Sequence, residues 1–203
     1  MQRDTGRGLD LANLRATPRV VDHGLWNPNW AVHKFHEHRD RVYKAAHLEG
    51  LPIRYLRENF ELMGVLKSSG NVLLDEGINE LMALLAGTGA TKFDHDNAFM
   101  GVGDDATAAD HEQTGLLGAA NAGAHKLYVA MDASYPTYGT AQKAAWRSTF
   151  GADDAKFHWQ EITVANGNSD AAKNLNRKVQ DMGTKPSEAP GSTWVATLEI
   201  TLT

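Results

Sequence analysis

No cysteine occurs among the 203 residues. Disulfides, thiolate metal sites and cysteine nucleophiles are therefore excluded, and stability must come from burial and from partners. Long apolar runs are also missing. The longest, Leu81-Met-Ala-Leu-Leu-Ala86, falls far short of the roughly 20 residues of a membrane-spanning helix. The opening Met1-Gln-Arg-Asp-Thr-Gly-Arg-Gly8 is polar, with no apolar stretch behind it, so no targeting segment is expected. These absences predict a soluble protein made in a cytoplasm, with no membrane partner. A concentrated basic face is lacking too. Residues 1–67 hold 11 Lys and Arg against 8 Asp and Glu, and residues 68–203 hold 9 against 17. The chain thus runs from +3 to −8, which suggests parts in different surroundings and argues against a nucleic-acid partner.

What is present is enough apolar material for a core: 42% hydrophobic and 22% charged, the balance of a packed domain. Along the chain this material is uneven. Residues 1–31 show no regular apolar period, and Gly6, Gly8, Pro18, Gly24 and Pro28 break any helix. They read as an extended N-terminal arm. Trp26 and Trp30 have no core of their own in this reading and become partner-binding anchors for a neighbour's pockets, since buried aromatics dominate interface energies. Residues 32–67 read as a small helical or irregular linker. His33 to His47 could form a helix ending at Gly50. Pro52 blocks its continuation, and Tyr55 to Leu66 fits either a short helix or a strand.

Residues 68–203 carry clearer patterns. Leu74, Ile78, Leu81, Met82 and Leu85 form an apolar stripe at helical spacing, with Asn71 as N-cap, Asp75 and Glu76 in the first turn and Gly87 beyond the end. Short strands follow at 98–102, 127–131, 142–150, 157–164 and 175–179, with a change of face within 157–164 that suggests a bulge. The last strand is the cleanest. Trp194, Ala196, Leu198, Ile200 and Leu202 alternate with Val195, Thr197, Glu199 and Thr201, as one buried face requires. The expected fold is mainly β: a C-terminal antiparallel β-sandwich with one amphipathic helix and an extended or helical N-terminal arm. The last strand is expected to expose an edge that another copy could pair with.

Candidate chemistry is weak throughout. His33, His36 and His38 are close together, but His36-Glu37 is followed at once by His38, which breaks the His-Glu-x-x-His zinc pattern. No metal is expected there. Asp94-His-Asp-Asn97, Asp104-Asp105 and His111-Glu112 could offer oxygen ligands, but they lack calcium-loop spacing and read better as turn caps. Gly101-Val-Gly103 lacks the remaining glycine and the lysine of a nucleotide loop, and its glycines read as a tight strand exit. No Gly-x-Ser-x-Gly elbow is present, and no pair of carboxylates stands out for glycoside hydrolysis. Trp146, Trp159 and Trp194 lie in strand patterns and read as core. No catalytic residue, cofactor or small-molecule ligand is expected.

The order of motifs over residues 71–203 is more telling. Asn71-Val-Leu-Leu-Asp-Glu-Gly-Ile-Asn79 precedes Ala98-Phe-Met-Gly-Val-Gly-Asp-Asp-Ala-Thr107, Gln113-Thr-Gly-Leu116 and Met131-Asp-Ala-Ser-Tyr-Pro136. Trp146-Arg-Ser-Thr-Phe-Gly151, Phe157-His-Trp-Gln-Glu161, Asn174-Leu-Asn-Arg-Lys178 and Leu198-Glu-Ile-Thr-Leu202 follow. This succession resembles a group of small bacteriophage virion proteins encoded among head and tail genes. The resemblance implies a non-enzymatic structural role in the virion, as a capsid decoration, minor capsid or head–tail neck protein. Its partners would be other phage structural proteins and copies of itself. Two further expectations stand beside it: a tail or fibre component that binds host surface glycans and, third, a β-sandwich glycan hydrolase.

Overall fold

The computed structural model describes residues 26–36, 51–119, 123–187 and 191–203. Its elements, in order, are β1 (Trp26–His36), α1 (Ile53–Asn59), β2 (Glu61–Ser69), β3 (Val72–Leu73), α2 (Asp75–Leu85), β4 (Phe99–Gly103), β5 (Lys126–Ala130), β6 (Thr137–Tyr138), β7 (Lys143–Phe150), β8 (His158–Ala165), β9 (Asn176–Thr184) and β10 (Ser192–Leu202). They form two five-stranded antiparallel sheets, β2-β1-β10-β7-β6 and β3-β9-β8-β4-β5. The protein is a β-sandwich. β7 and β10 are neighbours in one sheet, while β8 and β9, between them in sequence, pair in the other.

Alternation builds the core. Trp30 and Val32 from β1, Trp146 and Phe150 from β7, and Trp194, Ala196, Leu198 and Ile200 from β10 face Met100, Val102, Trp159, Ile162 and Val164 of the second sheet. Trp159 sits edge-on to both Phe150 and Trp194, with ring centroids 4.7 Å apart in each case, an arrangement that suits the ring quadrupoles. Three of the four core indoles also find an acceptor for their N–H, whereas that of Trp30 has none among the described residues. Trp159 donates to the Ala155 carbonyl, Trp146 to the Phe93 carbonyl and Trp194 to the Ser192 hydroxyl. A smaller cluster of Phe35, Leu56, Phe60 and Val195 lies against α1.

The N-terminal half departs from the sequence reading. Residues 26–31 are not an arm. They begin β1, which lies between β2 and β10 with Trp26 opposite Leu202 and His36 opposite Ser192. Residues 1–25, the rest of the expected arm, lie outside the described residues. Nor are the described parts of 32–67 a separate linker, since 32–36 complete β1 and 51–67 supply α1 and most of β2. Of the expected His33–His47 helix, the described part, 33–36, is strand. Pro28 is tolerated because β2 pairing starts only at Asn29, opposite Ser69. The N–H that proline lacks is therefore not missed by a ladder on that side. β10 is an interior strand with β1 on one side and β7 on the other, so the expected open edge at the last strand is absent.

Helix α2 starts later than expected, capped by Leu74 rather than Asn71, because Val72–Leu73 pair with β9. It also lies on a rotated face. Leu74, Gly77, Leu81 and Leu84 face the body, whereas Ile78, Met82 and Leu85 are exposed. Gly77 sets that rotation. A Cβ there would lie 2.5 Å from the Asn174 carbonyl oxygen and 2.5 Å from Leu175 Cα, so the helix backbone rests directly on the chain entering β9. Gly87, at φ +70°, follows the C-cap Ala86 as expected.

Candidate functional site

The buried charges act as braces. Arg177 of β9 is fully buried and donates from Nε to Glu161 of β8 at 2.7 Å. Its remaining donors reach the Thr107 carbonyl, the Gln113 side chain and Asp105. Glu161 in turn accepts from the backbone N–H groups of Leu117 and Gly118, at 3.0 and 2.7 Å. The pair thereby holds the loop between β4 and β5 against the second sheet, with its lone pairs and protons matched as a buried ion pair requires. Asp105 sits at the loop end of this network. Burial pushes its carboxyl up, but hydrogen bonds from Thr107 and the charge of Arg177 outweigh that and hold it below the ordinary value.

The glycines of β4 make this possible. A Cβ at Gly103 would lie 2.2 Å from a Glu161 carboxylate oxygen, and one at Gly101 would enter the Tyr128 ring. Gly101-Val-Gly103 closes β4, which ends at Gly103. Its two glycines clear space for two side chains of the neighbouring strands. Tyr128 is kept neutral, its phenol pushed up by burial first and by Asp170 next.

A second brace lies on the other sheet. Arg147 of β7 pairs with buried Asp132 at 2.5 Å, donates to the Leu51 carbonyl and covers the Tyr135 ring. Thr149 also donates to Asp132. Burial pushes the Asp132 carboxyl up, against the pull of Arg147.

The acidic loop residues close turns rather than gather round a cation. Asp94 accepts from Asn97, Asp110 from the Glu112 N–H and Asp154 from the Gly151 N–H. Asp104 meets His125, and Asp75 meets His111. Among the described residues no three His, Asp or Glu converge as a metal site. His33 lies on β1, its imidazole held below the ordinary value by burial and then by Arg57, Lys67 and Arg147. His38 lies outside the described residues.

Of the two expected anchors, Trp30 is corrected: only 3% of it is exposed, and it belongs to the protein's own core. Its partners are the second sheet's side chains, and a strand pattern of Pro28, Trp30 and Val32 puts it there. Trp26 remains partly exposed. It lines an apolar cleft of about 360 Å³ with Ala144, Trp146, Ile200 and Leu202, where the sandwich opens at one end.

Exposed apolar side chains stand out at three places, of which only the one on β2 was not singled out in the sequence. Trp26, Leu202 and Tyr138, the last 83% exposed, lie in or beside this cleft. Ile78, Met82 and Leu85 form a stripe on the outer side of α2, with Leu85 80% exposed. Leu62, Met63 and Val65 lie along β2, which among the described residues pairs only with β1. The alternation of β2 breaks at a bulge, where Lys34 opposes Gly64 but Phe35 opposes Leu62. The extra residue re-aims the side chains there, leaving adjacent Leu62 and Met63 both exposed.

Comparison of the chain with protein-family models, with curated proteins and with solved structures finds no match. Among the described residues no helix is long and apolar enough to cross a membrane.

Proposed function

We propose that this chain is a non-enzymatic structural component of a bacteriophage particle, associated with the capsid as a decoration, minor capsid or head–tail neck protein. One observation carries the reading: apolar side chains are exposed on three separate elements, β2, α2 and the cleft beside Trp26. Exposed apolar patches mark contact surfaces, and several weak contacts on one subunit multiply when it joins an assembly. The buried charged groups support the same reading, because Arg177, Glu161, Arg147 and Asp132 brace loops and strands. The succession of motifs over residues 71–203 adds the phage context. The partners are other virion proteins and further copies of this chain.

The glycan-binding alternative would use Trp26 and Tyr138 as stacking platforms. Gln142 and Lys143 also line the cleft beside them, but the surface it exposes is mainly apolar, which suits a polypeptide side chain better than a sugar. Cryo-electron microscopy of particles from the phage encoding this chain tests the proposal. Density for the sandwich in regular copies on head or neck supports it. Purified particles that lack the chain by mass spectrometry refute it.

A further inference from the structure

We infer that the outer face of the sheet β2-β1-β10-β7-β6 holds a binding groove for an acidic saccharide, with Lys67 meeting the acid group. The inference goes beyond the assembly reading and does not rest on it.

Strand register sets the face. Lys67 of β2 stands opposite Ala31 of β1, which stands opposite Thr197 of β10. Two residues along, Ser69, Asn29 and Glu199 form the next row. Residues two apart on a strand share a face, and the core takes the alternate residues Trp30 and Val32. The bulge between β1 and β2 lies beyond both rows, at Lys34 and Phe35. In that direction the outer face is covered, because Phe35 and Val195 pack against Leu56 of α1. Towards Asn29 it is open. The short side chains of Ala31, Thr197 and Ser69 leave a groove of about 500 Å³ there, with Lys67 on one side and Glu199 on the other. Small-molecule sites have this size.

Charge selects the ligand. Neither Lys67 nor Arg57 of α1 has an ion-pair partner among the described residues. His33 lies on the same face, diagonal to Lys67, and stacks on Phe35. The charges that act on its imidazole are those of Arg57, Lys67 and Arg147, all positive. Arg147 is matched by buried Asp132. Lys67 and Arg57 are left without a counter-charge, so this end of the groove lacks an anion. The far side differs. Glu199 meets Lys143 at 3.0 Å. Its carboxylate, with the Asn29 amide and the Ser69 and Thr197 hydroxyls, offers acceptors and donors to hydroxyl groups. A ligand with one carboxylate or phosphate and several hydroxyls fits both ends. Hydrogen bonds to a charged group are the strong ones, so the acid group supplies most of the affinity and the hydroxyls the selectivity.

NMR titration of the full-length chain at physiological salt tests this with glucuronic acid and glucose 6-phosphate as probes. Glucose and inorganic phosphate are the comparisons. Both acidic sugars should shift the Ala31 and Thr197 amides saturably. Each should also raise the titration midpoint of His33, because a bound anion offsets the surrounding cations. Glucose and inorganic phosphate should bind at least about tenfold more weakly. Lys67→Met should weaken the acidic sugars about tenfold, and Asn29→Ala about threefold. Both side chains are exposed, so the urea midpoint should stay near wild type in each variant. Saturable binding of only one acidic sugar supports the inference and names its acid group. The inference is overturned by the absence of any saturable shift, or by a His33 midpoint unmoved at saturation. Lys67→Met binding like wild type overturns it too, as does phosphate binding as tightly as the sugars.

Discussion

Replacing Gly77 by alanine should destabilise the protein, although helix propensity alone says the opposite. In an exposed helix interior, glycine to alanine gains about 1 kcal/mol. Here the new methyl would lie 2.5 Å from the Asn174 carbonyl oxygen, 2.5 Å from Leu175 Cα and 2.7 Å from the Leu175 carbonyl oxygen. All three atoms are backbone, so no rotamer change relieves the overlap. The segment is tied in place as well. The Leu175 N–H donates to the Val164 carbonyl at 2.7 Å, the Leu74 N–H to the Leu175 carbonyl, and the Asn174 N–H to Glu76. Overpacking of this kind costs about 1–3 kcal/mol, and straining two or three of those hydrogen bonds adds about 1 kcal/mol each. After the propensity gain, a net loss of about 2–5 kcal/mol is expected, a fall of about 4–20 °C in Tm for a chain of this size. Urea unfolding and a thermal melt measure it. Asn79→Ala, exposed on the same helix, is the control and should gain up to about 0.7 kcal/mol. A Gly77→Ala protein as stable as wild type, or more so, would refute the close approach of α2 to β9.

Three further outcomes follow from the braces and the core. Glu161→Ala leaves buried Arg177 with only the part-exposed Asp105 as counter-charge and should cost about 3–5 kcal/mol in denaturant unfolding, with hydrogen exchange quickening first at Leu117 and Gly118. Leu198→Ala should cost about 2–5 kcal/mol. Glu199→Ala, on the other face with a half-exposed partner in Lys143, should cost no more than about 1 kcal/mol by the same assay. Asp105 has a depressed folded-state pKa, so its contribution is complete above the unfolded value of about 3.9 and is lost as pH falls through the folded value. The Tm difference between wild type and Asp105→Asn should accordingly be present at pH 7 and shrink towards zero in strong acid. A difference that does not change with pH would mean that the carboxylate charge is not what matters there.

Much of the second half of the fold was legible because burial on one face leaves alternation in the sequence. β10 is the clearest case, and the change of face within 157–164 falls where the β8–β9 register shifts between Trp159 and Glu161. β1 was missed although Trp30 and Val32 alternate with Asn29, Ala31 and His33. Pro28 and the neighbouring asparagines looked like breakers, and only the staggered end of β2 explains why a proline is harmless there. The face of α2 was misread for a related reason. An apolar-stripe count passes over glycine, yet Gly77 marks the side of closest approach. The candidate surfaces were less legible still. Leu62 and Met63 look like any apolar pair until a bulge turns both outward. The roles of Gly101 and Gly103 depend on Tyr128 and Glu161, which are distant in sequence and adjacent only across strands.

The pairing of β1 with β10 constrains how the molecule comes into being. Asn27 hydrogen-bonds to Thr203, 176 positions further on, and β10 fills the middle of its sheet between β1 and β7. During synthesis β1 must wait, with its indoles exposed, until almost the whole described chain has left the ribosome. Such non-local closure is slow, and waiting strands are prone to misassociation. Premature termination anywhere before residue 192 would remove the strand that joins β1 to β7. The truncated products should therefore be insoluble or degraded.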